Sequence, residues 1–286
     1  MKISKALITA AGPDQRNLQL QQLIDRNRNK RTVLEILVEE IISAGIKEIG
    51  VVVQPEDAPN YEKALGNNIN GIEFIPQVNP NGYGHALLAG KNFLNNEPFL
   101  HLVGDHLYIN REGENIAQKV IETAQRYNCS VSTVQSTREN SIINFGTVGA
   151  MRIQGQSSIY QINEVKEKPT PTYAEQKLLV PGLRSGFYLC FFGMHIFTPY
   201  LLELLEQKGK NNPDAKLGLS ESLNELSKHN KYLALEMDNQ RYDIGQDYGL
   251  FKAQLAVSLL GKDRDFMLSE LMEFFIENEK NNNRKD

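Results

Sequence analysis

Cysteine is scarce in the 286 residues: only Cys129 and Cys190 occur. Two cysteines cannot build a disulfide framework, and this pair lacks metal-ligand spacing. Charge of one sign is also missing, since 31 Lys and Arg stand against 35 Asp and Glu for a net charge of −4. That balance provides no field to hold a nucleic-acid backbone or an anionic membrane. The longest apolar run, Phe187 to Phe192, falls far short of the roughly 20 residues that span a bilayer. Met1-Lys2-Ile3-Ser4-Lys5 leads into a strand-like segment without the apolar region of a cleavable leader. Internal repeats and Ser/Gly linkers are absent as well. These absences predict a soluble, cytoplasmic protein that binds neither nucleic acid nor membrane. The 41% hydrophobic and 23% charged residues are ordinary for a globular chain with a sizeable core.

What is present alternates between two hydrophobic periods. Ala6-Leu7-Ile8-Thr9-Ala10 is a short strand-like run stopped by Gly12-Pro13. From Thr32 the period turns helical, with Val33, Leu34, Leu37, Val38 and Ile41 on one face. Thr32 with Glu35 fits a capping box, and Gly45 fits the left-handed position after the helix. Further strands are predicted over 49–53, 72–75, 99–103 and 131–134, with helices over 85–94 and 116–127 between them. Two strands joined by a polar turn at 154–157 follow, then a central strand over 186–197. Helices over 199–207 and 220–228, a strand over 232–236, and amphipathic helices near 248–260 and 263–279 complete the pattern. Alternating strands and helices predict an α/β fold with a parallel sheet and right-handed crossovers. One elaborated domain is expected over 1–257, with a C-terminal helix and frayed tail over 258–286.

Open α/β sheets place ligands beyond the carboxyl ends of their strands, so the strand ends are where chemistry is expected. Ala10-Ala11-Gly12-Pro13-Asp14-Gln15-Arg16 follows the first strand. Its small residues allow close backbone approach, and its arginine suits a phosphate; an ordinary turn would read the same way. Gln77 through Ala86, with Gly82-Tyr83-Gly84, places backbone N–H groups before a helix. Val103-Gly104-Asp105-His106 ends an apolar strand with a carboxylate. Such a group suits Mg²⁺, which favours one or two carboxylates plus substrate oxygens, although it also suits a turn cap. Tyr242-Asp243-Ile244-Gly245 supplies a second carboxylate, and spacing alone does not pair it with Asp105. Glu167-Lys168-Pro169 sets anion and cation side by side at a strand end, as a solvated charge run also would.

The order of these segments, together with Phe145-Gly146 and Gly186-Phe187-Tyr188, resembles the sugar-1-phosphate nucleotidylyltransferases. Within them it looks most like the bacterial UTP–glucose-1-phosphate uridylyltransferases, from residue 5 to about 257. The resemblance implies a Rossmann-like, GT-A-like mixed sheet, mostly parallel and flanked by helices. It further implies transfer of a nucleotidyl group from an NTP, UTP by this likeness, to a sugar 1-phosphate such as glucose 1-phosphate, releasing pyrophosphate. Carried over, Ala10, Ala11 and Gly12 would lie against the nucleotide, while Gln77 and Gly82 would read the base. Asp105 and Asp243 would hold Mg²⁺. Gly146, Glu167 and Gly186 would line the sugar pocket, and Lys168 would meet the sugar phosphate. Arg16, Lys168 and Asp105 would be the catalytic groups.

The chain departs from that family at the phosphate loop. The family pattern Gly-x-Gly-Thr-Arg, followed by a Pro-rich stretch ending in Pro-Lys, is replaced by Gly12-Pro13-Asp14-Gln15-Arg16 and then Asn17 to Asp25. The second glycine is Asp14, and the lysine has no counterpart. Pro13 removes a backbone donor. The basic cluster Arg26, Arg28 and Lys30 offers either a substitute over the phosphates or a solvated loop, and the family's acidic position before Leu217 is Lys216. The alternative function is therefore a non-catalytic sensor of a nucleotide or nucleotide sugar. A homo-oligomer is a further expectation if Phe266, Met267, Leu271, Met272, Phe274 and Phe275 form an interface; their helical spacing favours intramolecular core instead.

Overall fold

The computed structural model describes all residues except 14, 15, 67–69, 110–113, 213, 214, 239 and 283–286. The Asp14 and Gln15 positions of the phosphate loop and the end of the C-terminal tail thus lie outside the described residues. Strand β1 (Lys5–Thr9) is buried along its whole length, as expected of a strand covered on both faces. A hairpin of β2 (Gln22–Ile24) and β3 (Lys30–Thr32) follows, then helix α1 (Val33–Ser43). Thr32 and Glu35 form the capping box in both directions, which fixes where α1 begins. Next come β4 (Glu48–Val53), α2 (Ala58–Leu65), β5 (Ile72–Pro76), α3 (Tyr83–Ala89), α4 (Lys91–Leu94) and β6 (Phe99–Val103). The helix expected over 85–94 is thus two pieces. The break falls at Gly90, whose backbone lies against the Leu7 side chain.

The chain continues through β7 (His106–Ile109), α5 (Ile116–Tyr127), β8 (Ser130–Arg138), β9 (Thr147–Arg152), β10 (Ile159–Lys166) and α6 (Pro171–Lys177). It closes with β11 (Phe187–Phe197), α7 (Tyr200–Asn211), α8 (Ser220–His229), β12 (Tyr232–Glu236), β13 (Gln240–Asp243), α9 (Gly249–Leu259) and α10 (Arg264–Asn282). Among the described residues the main sheet has nine strands in the order β5-β4-β1-β6-β11-β8-β12-β10-β9. From β5 to β6 every pairing is parallel. Beyond β6 the character changes: β11 runs antiparallel to β6, β8 and β9, and β10 runs antiparallel to β9 and β12. Of the pairings in that half, only β8 with β12 is parallel. The sheet is mixed and flanked by helices, and all but one of its parallel pairings lie in the half from β5 to β6. Short turns such as the one joining β9 to β10 permit antiparallel pairing, whereas parallel neighbours need a crossover.

Alternation along β1 divides the core. Ala6 and Ile8 join the apolar layer with Leu34, Leu37 and Leu102, while Leu7 faces Val52, Leu87, Phe99 and Phe197 on the other side. The central strand β11 contributes to both layers. No helix among the described residues is long and apolar enough to cross a membrane. The C-terminal helices differ from expectation. Phe266, Met272, Phe274 and Phe275 are each 61% exposed, so they do not form intramolecular core. A period of 3.6 residues defines a face but not what covers it; here α10 runs on past α9, its packing neighbour. The boundary expected at residue 257 falls inside α9, which ends at Leu259.

Candidate active site

Asp105 stands just beyond the end of β6, with Gly104 N–H donating to Thr9 O at 3.0 Å. Immediately after it, β7 leaves the main sheet and pairs antiparallel with β13, placing His106 opposite Asp243. The Ile244 N–H donates to the Asp105 carbonyl at 2.9 Å, so backbone bonds on both strands fix the two aspartates relative to each other. Gly245 N–H donates to Asp243 Oδ1 at 3.0 Å. His106 Nδ1–H donates to Asp105 Oδ1 at 2.7 Å. One ligand atom from each of Asp105, His106 and Asp243 lies within 4.8 Å of the other two. Asp105 is only 7% exposed. Two carboxylates held on ordered backbone fit a hard, oxygen-seeking ion such as Mg²⁺. The imidazole, already bonded to Asp105, fixes the orientation of that carboxylate.

A cavity of about 540 Å³ opens beside these groups and is also lined by Gly82, Gly146, Glu167 and Lys168. Each is held by a definite contact. Glu167 Oε2 accepts from Ser220 Oγ at 2.6 Å. A β-carbon at Gly146 would stand 2.8 Å from the Phe191 ring and 3.0 Å from Glu167 Oε2, so only glycine lets that carboxylate approach the backbone. Lys168 sits at φ 43, with its N–H on Phe145 O at 3.2 Å. That left-handed conformation is unusual for a side-chain-bearing residue and marks a position the surroundings enforce. Gly82, at φ 96, stands just before α3 as its N-cap, and a β-carbon there would meet Leu217 O at 2.5 Å. The strand-like contact responsible consists of Leu217 N–H to Asn81 O and Gly84 N–H to Leu217 O, both 2.9 Å. It turns Leu217 into the core and leaves Lys216 at the cavity.

Other expected residues lie elsewhere. Ala10 and Ala11 are buried at the end of β1, Ala10 N–H donating to Val52 O at 2.8 Å and Gln54 Nε2 donating to Ala11 O at 3.1 Å. Gln77 is buried after β5, its amide 2.8 Å from His85 Nδ1. These residues and Gly12 share the carboxyl edge of the parallel strands but do not line the cavity. Gly186 lies exposed before β11, outside the cavity lining. Its segment is an exposed turn leading into β11, which spacing in the sequence does not reveal. Arg16 also departs from expectation: Nε and Nη2 donate to the two Asp57 carboxylate oxygens at 2.9 and 2.8 Å. Its guanidinium is committed to the start of α2. In the basic cluster, Arg28 pairs with Asp263, and Arg26 O accepts from Lys262 N–H at 3.1 Å. The hairpin is thereby fastened to the C-terminal helices.

Tyr83, Phe191, His195 and Arg241 also line the cavity without a role assigned from the sequence. Arg241 had a usable signal, because it precedes Asp243 by two residues on β13 and strand periodicity puts both on one face. Its guanidinium carbon lies 4.0 Å from the Phe145 ring centre. Burial lowers its pKa, and Cys190, Tyr108, Asp243 and Asp105 act in the opposite direction. His195 is pushed down to about 3 by burial, with His106 adding to the shift. Its Nδ1 lies 2.6 Å from Ser132 Oγ. Beneath it the ring of His101 is stacked at 5.7 Å, and burial holds that group well below the usual imidazole range.

Comparison with known proteins now decides the family. The family model for nucleotidyl transferases matches residues 18–258. The chain belongs to that family. The nucleotidyl transferase match begins at Leu18, beyond the divergent Gly12–Arg16 segment. A UTP–glucose-1-phosphate uridylyltransferase 2 of Streptococcus pyogenes serotype M3 is 25% identical over 90% of this chain and 91% of its own length. Another UTP–glucose-1-phosphate uridylyltransferase of Streptococcus pyogenes is 26% identical over 90% of each chain. Among solved structures, the UDP-glucose pyrophosphorylase of Acinetobacter baumannii superposes with a TM-score of 0.75 at 20% identity, covering 96% of this chain and 100% of that one. A UDP-glucose pyrophosphorylase complexed with UDP-glucose gives 0.72 at 24% identity, over 89% and 98%. At these identities the superpositions speak for the mixed α/β nucleotidyltransferase fold.

Proposed function

We propose that this chain transfers a nucleotidyl group from an NTP, UTP in the first instance, to a sugar 1-phosphate such as glucose 1-phosphate. The observation that carries this reading is the convergence of Asp105 and Asp243, 138 positions apart in the sequence (243 − 105), on the cavity that also holds Glu167 and Lys168. A phosphate oxygen of the sugar attacks the α-phosphorus, and the bond to the β-phosphate breaks as pyrophosphate leaves. The nucleophile is already an oxyanion, so no side chain need remove a proton and no covalent enzyme intermediate forms. The difficulty is that anions must approach each other. Lys168 brings a cation to the attacking phosphate. Glu167, oriented by Ser220, accepts hydrogen bonds from sugar hydroxyls. Asp105 and Asp243 would hold Mg²⁺, which supplies charge neutralisation on the nucleotide phosphates.

The test is pyrophosphate release from a panel of NTPs and sugar 1-phosphates with Mg²⁺. Absence of turnover with every pair, beside an active relative, refutes the reading. Asp105→Asn is expected to lower turnover by at least ~100-fold while leaving the fold intact. A second reading has its own support: Arg16, locked to Asp57, is withdrawn from the phosphates as a sensor's would be. A sensor binds a nucleotide sugar and catalyses no exchange of labelled pyrophosphate into NTP.

A further inference from the structure

The cavity's cations come from a different part of the chain than the phosphate loop would supply. Arg16 faces both oxygens of Asp57, with Glu56 at 3.5 Å, and Arg28 faces Asp263. Arg241 is in the opposite condition. It enters the cavity from β13 on the same strand face as Asp243 and is half-buried. Its guanidinium carbon lies 4.0 Å from the Phe145 ring centre and 6.0 Å from that of Phe192. Among the described residues no carboxylate lies within ion-pair distance of it, and no acceptor holds any of its N–H groups. None of its nitrogens is among the sealed, unpartnered polar atoms, which are Gln19 Nε2, His101 Nδ1 and Ser222 Oγ. The donors therefore open on the cavity.

A partly desolvated cation without a bonded counter-charge is unfavourable unless an anion completes it. The aromatic faces hold the planar group in place, and a fixed guanidinium fork matches phosphate oxygens two at a time. Aspartates two residues away and across the ribbon keep the region suited to an ion that itself brings phosphate. We propose that Arg241 is the phosphate-binding arginine of this chain, taking non-bridging oxygens of the nucleotide's di- or triphosphate where the N-terminal loop provides no available cation. This assignment rests on the nucleotidyl-transfer reading for its ligand, but Arg241 acts by binding alone.

Calorimetric titration with inorganic pyrophosphate, with Mg²⁺ and again in chelator, tests it without reference to turnover. R241Q is expected to bind pyrophosphate at least ~10-fold more weakly than wild type in both conditions. R241K, which keeps the charge and loses the fork, falls between, and R16A stays within about threefold of wild type. If R241Q does not fold, as judged by its thermal transition, R241K carries the test: a loss above about threefold supports the assignment and unchanged affinity overturns it. Equal affinity of R241Q and wild type, a loss in R16A as large as in R241Q, or wild-type protein that binds no pyrophosphate also overturns it. Pyrophosphate binding that depends on Arg241 in a protein without turnover sustains this assignment and defeats the transfer reading, so the two fail separately.

Discussion

Acidification should destabilise this protein through His195 in particular. The residue is 2% exposed and its folded pKa stands at about 3 against an ordinary 6.5. The folded imidazole therefore stays neutral down to about pH 3, while the unfolded one takes up a proton as pH falls below 6.5. Between those values the unfolded chain binds more protons, so stability rises with pH and is lost on acidification. Each pH unit in this window is worth about 1.4 kcal/mol, and moving from about pH 7 to pH 5 removes about 2 kcal/mol for this one group. His101, likewise depressed by burial, acts in the same direction. The assay is urea unfolding of wild type and His195→Gln at both pH values. Whatever the substitution does to packing is present at both, and the exposed histidines respond equally in both proteins. Wild type should lose about 2 kcal/mol more than the variant. Equal losses would mean that the native imidazole takes up its proton as readily as the unfolded one, and the account of a neutral, desolvated ring beneath the cavity would be wrong.

Gly82→Ala should lower stability by about 1–3 kcal/mol and shift the thermal midpoint, since its β-carbon meets Leu217 O at 2.5 Å in a left-handed backbone; an unchanged midpoint would show that the 81–84 and 215–218 segments part easily. Thr32→Ala should remove about 1 kcal/mol by urea titration through loss of the capping box, and Thr32→Asn should restore most of it. Phe275→Ser, at a 61% exposed site, should leave stability within about 0.5 kcal/mol. Phe197→Ala, at a fully buried one, should cost about 3–5 kcal/mol. Similar losses in those two variants would mean that α10 is packed after all. Lys168→Ala should raise KM for the sugar 1-phosphate more than for the NTP, and an equal effect on both would detach Lys168 from the sugar phosphate.

Local physics explains what could be read without coordinates. The start of α1 was legible because both halves of its cap, Thr32 and Glu35, lie within one helical turn of each other in sequence. Runs such as Ile49 to Val53 declared themselves as buried strands by composition alone. Asp105 and Asp243 were recognisable singly, but what joins them is the register of β7 on β13, a pairing no local pattern specifies. The antiparallel half of the sheet escaped for the same reason, since an apolar strand such as β11 has no direction relative to its neighbours until they pair. Arg16 matched a motif by position, yet its partner Asp57 comes from the start of α2 and ties it there. Arg241 shares a face with Asp243 only because 240–243 is a strand, and that short ribbon strand, held by its pairing with β7, carries no hydrophobic alternation to announce it.

The ribbon formed by β7 and β13 has a consequence for biosynthesis. Its first strand is made early and its second near the end of the chain, and only their meeting sets the two aspartates face to face. A polypeptide that extends past β6 but ends before Tyr242 carries every parallel strand packed around β1, yet it lacks half of the proposed ion-binding pair. Proteolytic loss of everything from β13 onward would therefore remove the proposed ion site at a stroke rather than by degrees.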